Sequence, residues 1–150
     1  APDDAPDDTP DDAPGTAAAP PRADLSARLA AADAFLVVTP EYNHSFPAPL
    51  KALIDGHRRE WYAKPVAFAS YGGRGGGLRA VEQLRQVFPE LHAMTVRDAL
   101  SFPHGPKLFD ETGRPRDAEA AGAAAKRLLA QLEWWAEALR TARRARPYPG

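Results

Sequence analysis

Residues 37–55, VVTPEYNHSFPAPLKALID, pass from a run fit for the middle of a sheet to the start of a helix. The junction between them, Pro40-Glu41-Tyr42-Asn43-His44, is longer and more specialised than a Gly-Asp or Ser-Gly link. Just upstream, residues 34–38 read AFLVV, apolar without alternation, the pattern of a parallel strand covered on both faces. Downstream, residues 47–58 place Leu50, Leu53 and Ile54 on one helical face. Ser45 stands as the N-cap, and the prolines are tolerated in the first turn, where a missing N–H costs nothing. Pro40 ends the strand, and Asn43 can take the left-handed backbone angles of a tight turn. The junction is therefore read as a shaped loop at the carboxyl end of a strand.

The same alternation repeats outward. Residues 64–71 (KPVAFASY) read as a second buried strand, 72–77 (GGRGGG) as a glycine loop, and 78–88 as a helix. Leu78, Val81, Leu84, Arg85 and Phe88 lie on or beside one stripe of that helix. Residues 92–96 (HAMTV) form a third strand, 101–117 a loop, and 118 to about 142 a long helix with Leu128, Leu132, Trp135 and Leu139 on one side. Before the first strand, residues 23–33 (ADLSARLAAAD) form a helix with Leu25 and Leu29 four apart and Asp24 or Ser26 near its start. Strands alternating with helices, with unbroken apolar strands, predict an α/β fold: a parallel sheet with helices on both faces and right-handed crossovers. Ligands in such sheets bind beyond the carboxyl ends of the strands. The loops 39–47 and 71–77 both follow strand ends, so they face one rim and make a candidate site.

Composition bounds the alternatives. The chain has 150 residues, 44% of them hydrophobic, which suits one soluble domain of cytoplasmic type, and no apolar run approaches the span of a bilayer. The absence of cysteine removes disulfide frameworks, thiolate catalysis and Cys-ligated zinc. A net charge of -1 argues against a nucleic-acid partner. Residues 1–21 repeat Pro-Asp-Asp without an aromatic or branched aliphatic side chain, so they are read as disordered, and they lack the features of a signal peptide. Residues 22–142 are read as the domain and 143–150 as a basic tail. The glycine run lacks the Gly-Lys-Ser/Thr ending of a phosphate loop, and Leu78 stands where a dinucleotide fingerprint starting at Gly73 needs its last glycine. His44, His57, His92 and His104 show no metal-ligand spacing. Trp134 and Trp135 are adjacent on a helix, so one ring can enter the core while the other suggests a partner surface; Arg79, Glu82 and Arg85 read as a solvated helix face.

Residues 39–55 (TPEYNHSFPAPLKALID) and 64–85 (KPVAFASYGGRGGGLRAVEQLR), with their separation, resemble the NAD(P)H-dependent FMN reductases of flavodoxin-like fold, a family that includes quinone, azo-dye and chromate reductases. The resemblance covers roughly residues 23–109. It implies FMN as cofactor and NAD(P)H as co-substrate. Pro40, Glu41, Tyr42 and Asn43 would wrap the isoalloxazine ring largely through backbone groups, with Tyr42 or His44 near its face. Tyr71 and the loop glycines Gly72, Gly73, Gly75 and Gly76 would bring N–H groups to the pyrimidine edge, where reduced flavin gains negative charge that N–H groups at a helix N-terminus stabilise. Hydride would pass from nicotinamide to flavin and on to a small-molecule acceptor: a quinone, azo compound, metal oxyanion or free flavin. Stacking geometry carries such a transfer, so no catalytic acid–base side chain and no metal is implied. A cytoplasmic homodimer or homotetramer, without nucleic acid or membrane, is the implied assembly.

The resemblance departs in one respect above all. The family's first strand, its Gly-Ser-x-Arg-x-x-Ser phosphate loop, the helix after it and the second strand have no counterpart before Arg22. The expected fold is thus an incomplete, about three-stranded, N-terminally truncated version, in which the AFLVV strand becomes an edge with unpaired N–H and C=O groups and an apolar face. Ala52 and Gly56 stand where the family often has asparagine and tryptophan. Two alternatives follow: a non-catalytic remnant acting as a dimerisation or scaffold module, and a passive electron carrier like flavodoxin.

Overall fold

The computed structural model describes residues 22–150; the disorder expected for 1–21 lies outside the described residues. Strands β1 (Phe35–Pro40), β2 (Pro65–Gly72) and β3 (Met94–Pro103) form one parallel sheet in the order β1-β2-β3. Helices α1 (Arg22–Ala31), α2 (Ala48–Asp55), α3 (Leu78–Glu90) and α4 (Ala118–Ala145) alternate with them. The expected α/β architecture, with helices on both faces of a three-stranded sheet, is the one observed.

One face of the sheet is closed by α2, α3 and a 3-10 turn at Arg59–Trp61, with Ile54, Trp61, Phe68, Val81, Leu84 and Phe88 buried together. Trp61 is the hub: its ring meets Phe35 at 4.7 Å and Phe88 at 5.5 Å, both edge-on. Its indole N–H donates to the carbonyls of Ile54 (3.2 Å) and His57 (2.9 Å), so a large apolar ring is buried without an unsatisfied donor. The other face is closed by α4, whose Leu128 and Leu132 pack on Ala67 and Val96.

Strand β2 is buried from Pro65 to Ser70, as its unbroken apolar run predicts. Strand β1 is not. Phe35 and Val37 join the Trp61 cluster, but Leu36 and Val38, on the α4 side, are 44% and 65% exposed because α4 packs over β2 and β3. Among the described residues no strand pairs with the outer edge of β1, which is the apolar edge expected from the truncated pattern.

Several local readings are corrected. Helix α2 begins at Ala48 behind Pro47 and stops at Asp55, three residues short of 58, with Gly56 as C-cap. Ser45 is not its N-cap; its hydroxyl donates instead to Gln83 Oε1 at 2.6 Å. Leu78 is 51% exposed, since the buried face of α3 is set by Ala80, Val81, Leu84 and Phe88. Strand β3 runs to Pro103, into the segment read as loop. The reason is a bulge: Val66 pairs with Thr95 and Phe68 with Ala99, so Val96, Arg97 and Asp98 all stand against Ala67, and the polar Arg-Asp pair hides the strand period. Arg85, expected on a solvated face, donates to the bulge carbonyls of Val96 (2.6 Å) and Arg97 (2.8 Å). Trp135 is 36% exposed and Trp134 63%, their rings 4.9 Å apart, so neither enters the core. At the far end of α4, Arg143 donates to Asp33 Oδ1 (2.7 Å) and Ala63 O (2.6 Å).

Candidate functional site

Parallel pairing in register brings the ends of β1 and β2 side by side, with Pro40 opposite Tyr71. Pairing continues one step past the strand, where Glu41 N donates to Tyr71 O at 3.0 Å. The chain then folds back on itself: Tyr42 N donates to Ser45 O and Ser45 N to Tyr42 O, each at 2.9 Å. Asn43 (φ 50) and His44 (φ 67) fill the two central positions of this turn, both left-handed. Asparagine and histidine are both among the residues enriched in this region, and His44 is further held by partners described below.

The loop from Gly72 to Leu78 is built from underneath. Gly73 O accepts from Gly76 N (3.2 Å) and from His104 N (2.9 Å), which ties the end of β3 to the loop. Gly76 is buried, and its carbonyl accepts from the hydroxyls of Ser70 (2.8 Å) and Ser101 (3.0 Å). A Cβ on Gly77 (φ 85) would stand 2.5 Å from Ser70 Cβ and 2.9 Å from Tyr71 N, so any other residue there forces its surroundings to shift. Gly73 is the opposite case, with nothing within 4 Å of where a Cβ would point. Among the described residues, the N–H groups of Gly73, Arg74 and Gly75 donate to no backbone acceptor.

Every site residue named from sequence therefore lies at two neighbouring strand ends or on the loops that follow them. Pro40, Glu41, Tyr42, Asn43 and His44 belong to the end of β1 and its loop, Tyr71, Gly72, Gly73, Gly75 and Gly76 to the end of β2 and its loop, and a Cβ on Gly72 would meet Glu41 Cβ at 3.4 Å. They differ in where they point. Tyr42, Tyr71 and Gly73 are exposed on the rim, whereas Gly76 turns inward toward Ser101 and Pro103. The Glu41 carboxylate is 6% exposed and folded back against Arg79. The residues missed by sequence reasoning are those that brace the loops: Ser70, Gly77, Ser101, His104, Arg79 and Gln83. One signal bears on the contact between Glu41 and Arg79: α3 starts directly after a glycine, which has no side chain to cap the helix, so its first-turn N–H groups are open to an acceptor from another segment.

His57 is buried away from the rim, its Nδ1 donating to Leu53 O (2.8 Å) and its Nε2 hydrogen-bonded with the Ser26 hydroxyl (3.0 Å). Among the described residues no three His, Cys, Asp or Glu side chains are grouped to hold a metal ion. A cavity of about 360 Å³ between β3 and the start of α4 includes Ser101, which braces the glycine loop from below, and one of about 540 Å³ lies under the C-terminal segment; neither is lined by residues of the two loops themselves.

A family description, NADPH-dependent FMN reductase, matches residues 4–107, most of the chain and both rim loops. The chain belongs to this family. The match begins earlier than the two sequence motifs alone indicate and leaves α4 outside. An NAD(P)H-dependent FMN reductase of Schizosaccharomyces pombe is 40% identical over 79 residues, which are 51% of this chain and 39% of that protein. An NADPH:quinone oxidoreductase of Arabidopsis thaliana is 38% identical over 108 residues, 68% of this chain and 55% of that one. The chain thus spans about half the length of these curated relatives. The solved structure of FerB, a flavoenzyme NAD(P)H:(acceptor) oxidoreductase from Paracoccus denitrificans, superposes with a TM-score of 0.62 at 25% identity, covering 77% of this chain and 67% of FerB. The flavodoxin-like fold class expected from the motifs holds.

Proposed function

We propose that the chain is the ring-binding portion of an FMN-dependent oxidoreductase that passes electrons from NAD(P)H to a quinone, azo compound, metal oxyanion or free flavin. The observation that carries the proposal is the contact between the two rim loops, sealed by the Glu41–Tyr71 backbone hydrogen bond, with Gly73 open above it. A flat aromatic ligand needs this arrangement: close backbone approach, free N–H donors and exposed aromatic side chains. Bound FMN would supply the hydride-accepting and electron-donating chemistry that no side chain here possesses.

The chain's own residues do the rest. The amides at Gly73, Arg74 and Gly75 would donate to the electron-rich edge of the ring and favour negative charge there. Pro40 and the Asn43–His44 turn would set the backbone along the ring, and Tyr42 and Tyr71 would cover it and exclude water. Gly72 and Gly75 would let the loop lie flat, while Gly76 would hold its shape from below. The relatives' printed activities, as FMN reductase and quinone oxidoreductase, support a small-molecule acceptor. Among the described residues no helix is long and apolar enough to cross a membrane. A cytoplasmic homodimer or homotetramer is the assembly proposed with this activity. The open, apolar edge of β1 favours a second reading, a non-catalytic dimerisation module.

Titration of the purified chain with FMN, followed by quenching of flavin fluorescence, tests the choice. Saturable binding is expected, weakened about tenfold, or about 1.4 kcal/mol, by Gly73→Ala and by Asn43→Asp without loss of thermal stability in Gly73→Ala. Unchanged affinity in both variants removes the site. A chain that binds no flavin and is dimeric supports the module instead.

A further inference from the structure

Helix α3 begins behind Gly77, an N-cap with no side chain to accept from the N–H groups of the first turn. The missing acceptor arrives from the other loop. Glu41 Oε2 accepts the backbone N–H of Arg79 at 3.2 Å, which is the bond an N-cap side chain ordinarily makes, and it brings a negative charge to the positive end of the helix. The second carboxylate oxygen accepts from Arg79 Nε. With this carboxylate 6% exposed, a charged group has been taken out of water, and it is stable there because both of its oxygens are bonded.

The same guanidinium reaches further. Arg79 Nη1 donates to His44 Nε2 at 2.8 Å, and one turn along α3 Gln83 Nε2 donates to His44 O at 2.9 Å while Gln83 Oε1 accepts from the Ser45 hydroxyl at 2.6 Å. Two side chains on one face of α3 thus grip Glu41, His44 and Ser45, on both arms of the left-handed turn. His44, left-handed at φ 67, is the residue held at both its ring and its carbonyl.

We propose that Glu41 and Arg79 are a positioning pair: a helix cap supplied across the site, fixing the turn at residues 42–45 at one height above the glycine loop. The inference deepens the flavin reading and rests on it for its ligand, but the clamp is a property of the chain alone. Neither side chain is required to touch the ring. The cap also consumes the α3 dipole, so the loop amides, and not the helix end, are left for the ligand.

The test uses the full chain and the variants Arg79→Met, Arg79→Lys, Glu41→Gln and Glu41→Gln combined with Arg79→Met. Amide hydrogen exchange at Tyr42 and Ser45 is measured without ligand, and FMN affinity by fluorescence quenching. Arg79→Met is expected to speed exchange at both amides about tenfold and weaken FMN about tenfold, with Arg79→Lys recovering part of each. The double variant is expected to be no worse than the worse single one, because the two residues act as one unit. Glu41→Gln, which keeps an oxygen for the cap but loses the charge, is expected to shift the bound flavin's midpoint potential positive, a change that loosened packing alone does not produce. Unchanged exchange in Arg79→Met, or losses that simply add, overturns the clamp. Altered exchange in a chain that binds no FMN supports the clamp and removes the flavin reading.

Discussion

Replacing Gly77 by alanine is the sharpest probe of the rim. Two costs apply. An L-residue at φ 85 costs about 1–2 kcal/mol relative to right-handed backbone. The added methyl would also stand 2.5 Å from Ser70 Cβ and 2.9 Å from Tyr71 N. Both belong to the central strand, whose backbone is paired on each side and cannot retreat cheaply; such overpacking costs about 1–3 kcal/mol. The smaller entropy of the unfolded alanine chain returns about 0.4–1 kcal/mol. A net loss of about 2–4 kcal/mol is expected, enough to lower the melting temperature by about 2–4 °C per kcal/mol in a domain of this size class. Gly113→Ala provides the control: φ is 77, but nothing lies within 4 Å of the new methyl, so only the backbone cost applies, about 1 kcal/mol. Urea unfolding followed by far-UV circular dichroism measures both. If Gly77→Ala costs no more than Gly113→Ala, the argument that close approach to Ser70 dictates glycine is refuted.

Trp61→Phe is expected to destabilise by about 2–3 kcal/mol, since it leaves the Ile54 and His57 carbonyls without their shared donor and opens space beside Phe35 and Phe88; the same urea titration reads it. Lys64 has its pKa lowered, first by burial and then by Arg143. Its folded value therefore lies below the unfolded one near 10.4, the unfolded chain holds more protons in that interval, and stability should rise with pH across it. Lys64→Met should flatten that rise. Asp110 is lowered by the Thr112 hydroxyl and the Arg114 N–H, so its contribution is present above the ordinary carboxylate range and lost as pH falls through the folded value. Asp110→Asn should reduce the acid loss seen in stability measured from pH 6 downward.

The two rim loops were readable because their signals are local. Proline restricts its own φ, asparagine tolerates the left-handed region, glycines permit close approach, and both stretches follow unbroken apolar runs of strand length. Sequence order then fixed which end of the sheet they share. Leu78 and Trp135 were misplaced because helical spacing gives a stripe but not its width, and the width is set by what packs opposite. Ser45 has the residue type and position of a cap for the helix it precedes, whereas its hydroxyl reaches Gln83, 38 residues away.

By its residues alone, this chain determined the alternation of strands and helices, the parallel sheet and the position of its ligand-facing rim, since backbone preference and apolar period act within a few residues. Tertiary structure alone decided that Arg85 would satisfy a bulge, that β1 would leave Leu36 and Val38 uncovered, and that Glu41 would cap a helix beginning 37 residues further on. Those outcomes depend on which unsatisfied donors and acceptors meet once the sheet has formed. Hydrogen-bonding need is written in each residue, but the partner is chosen by proximity in space.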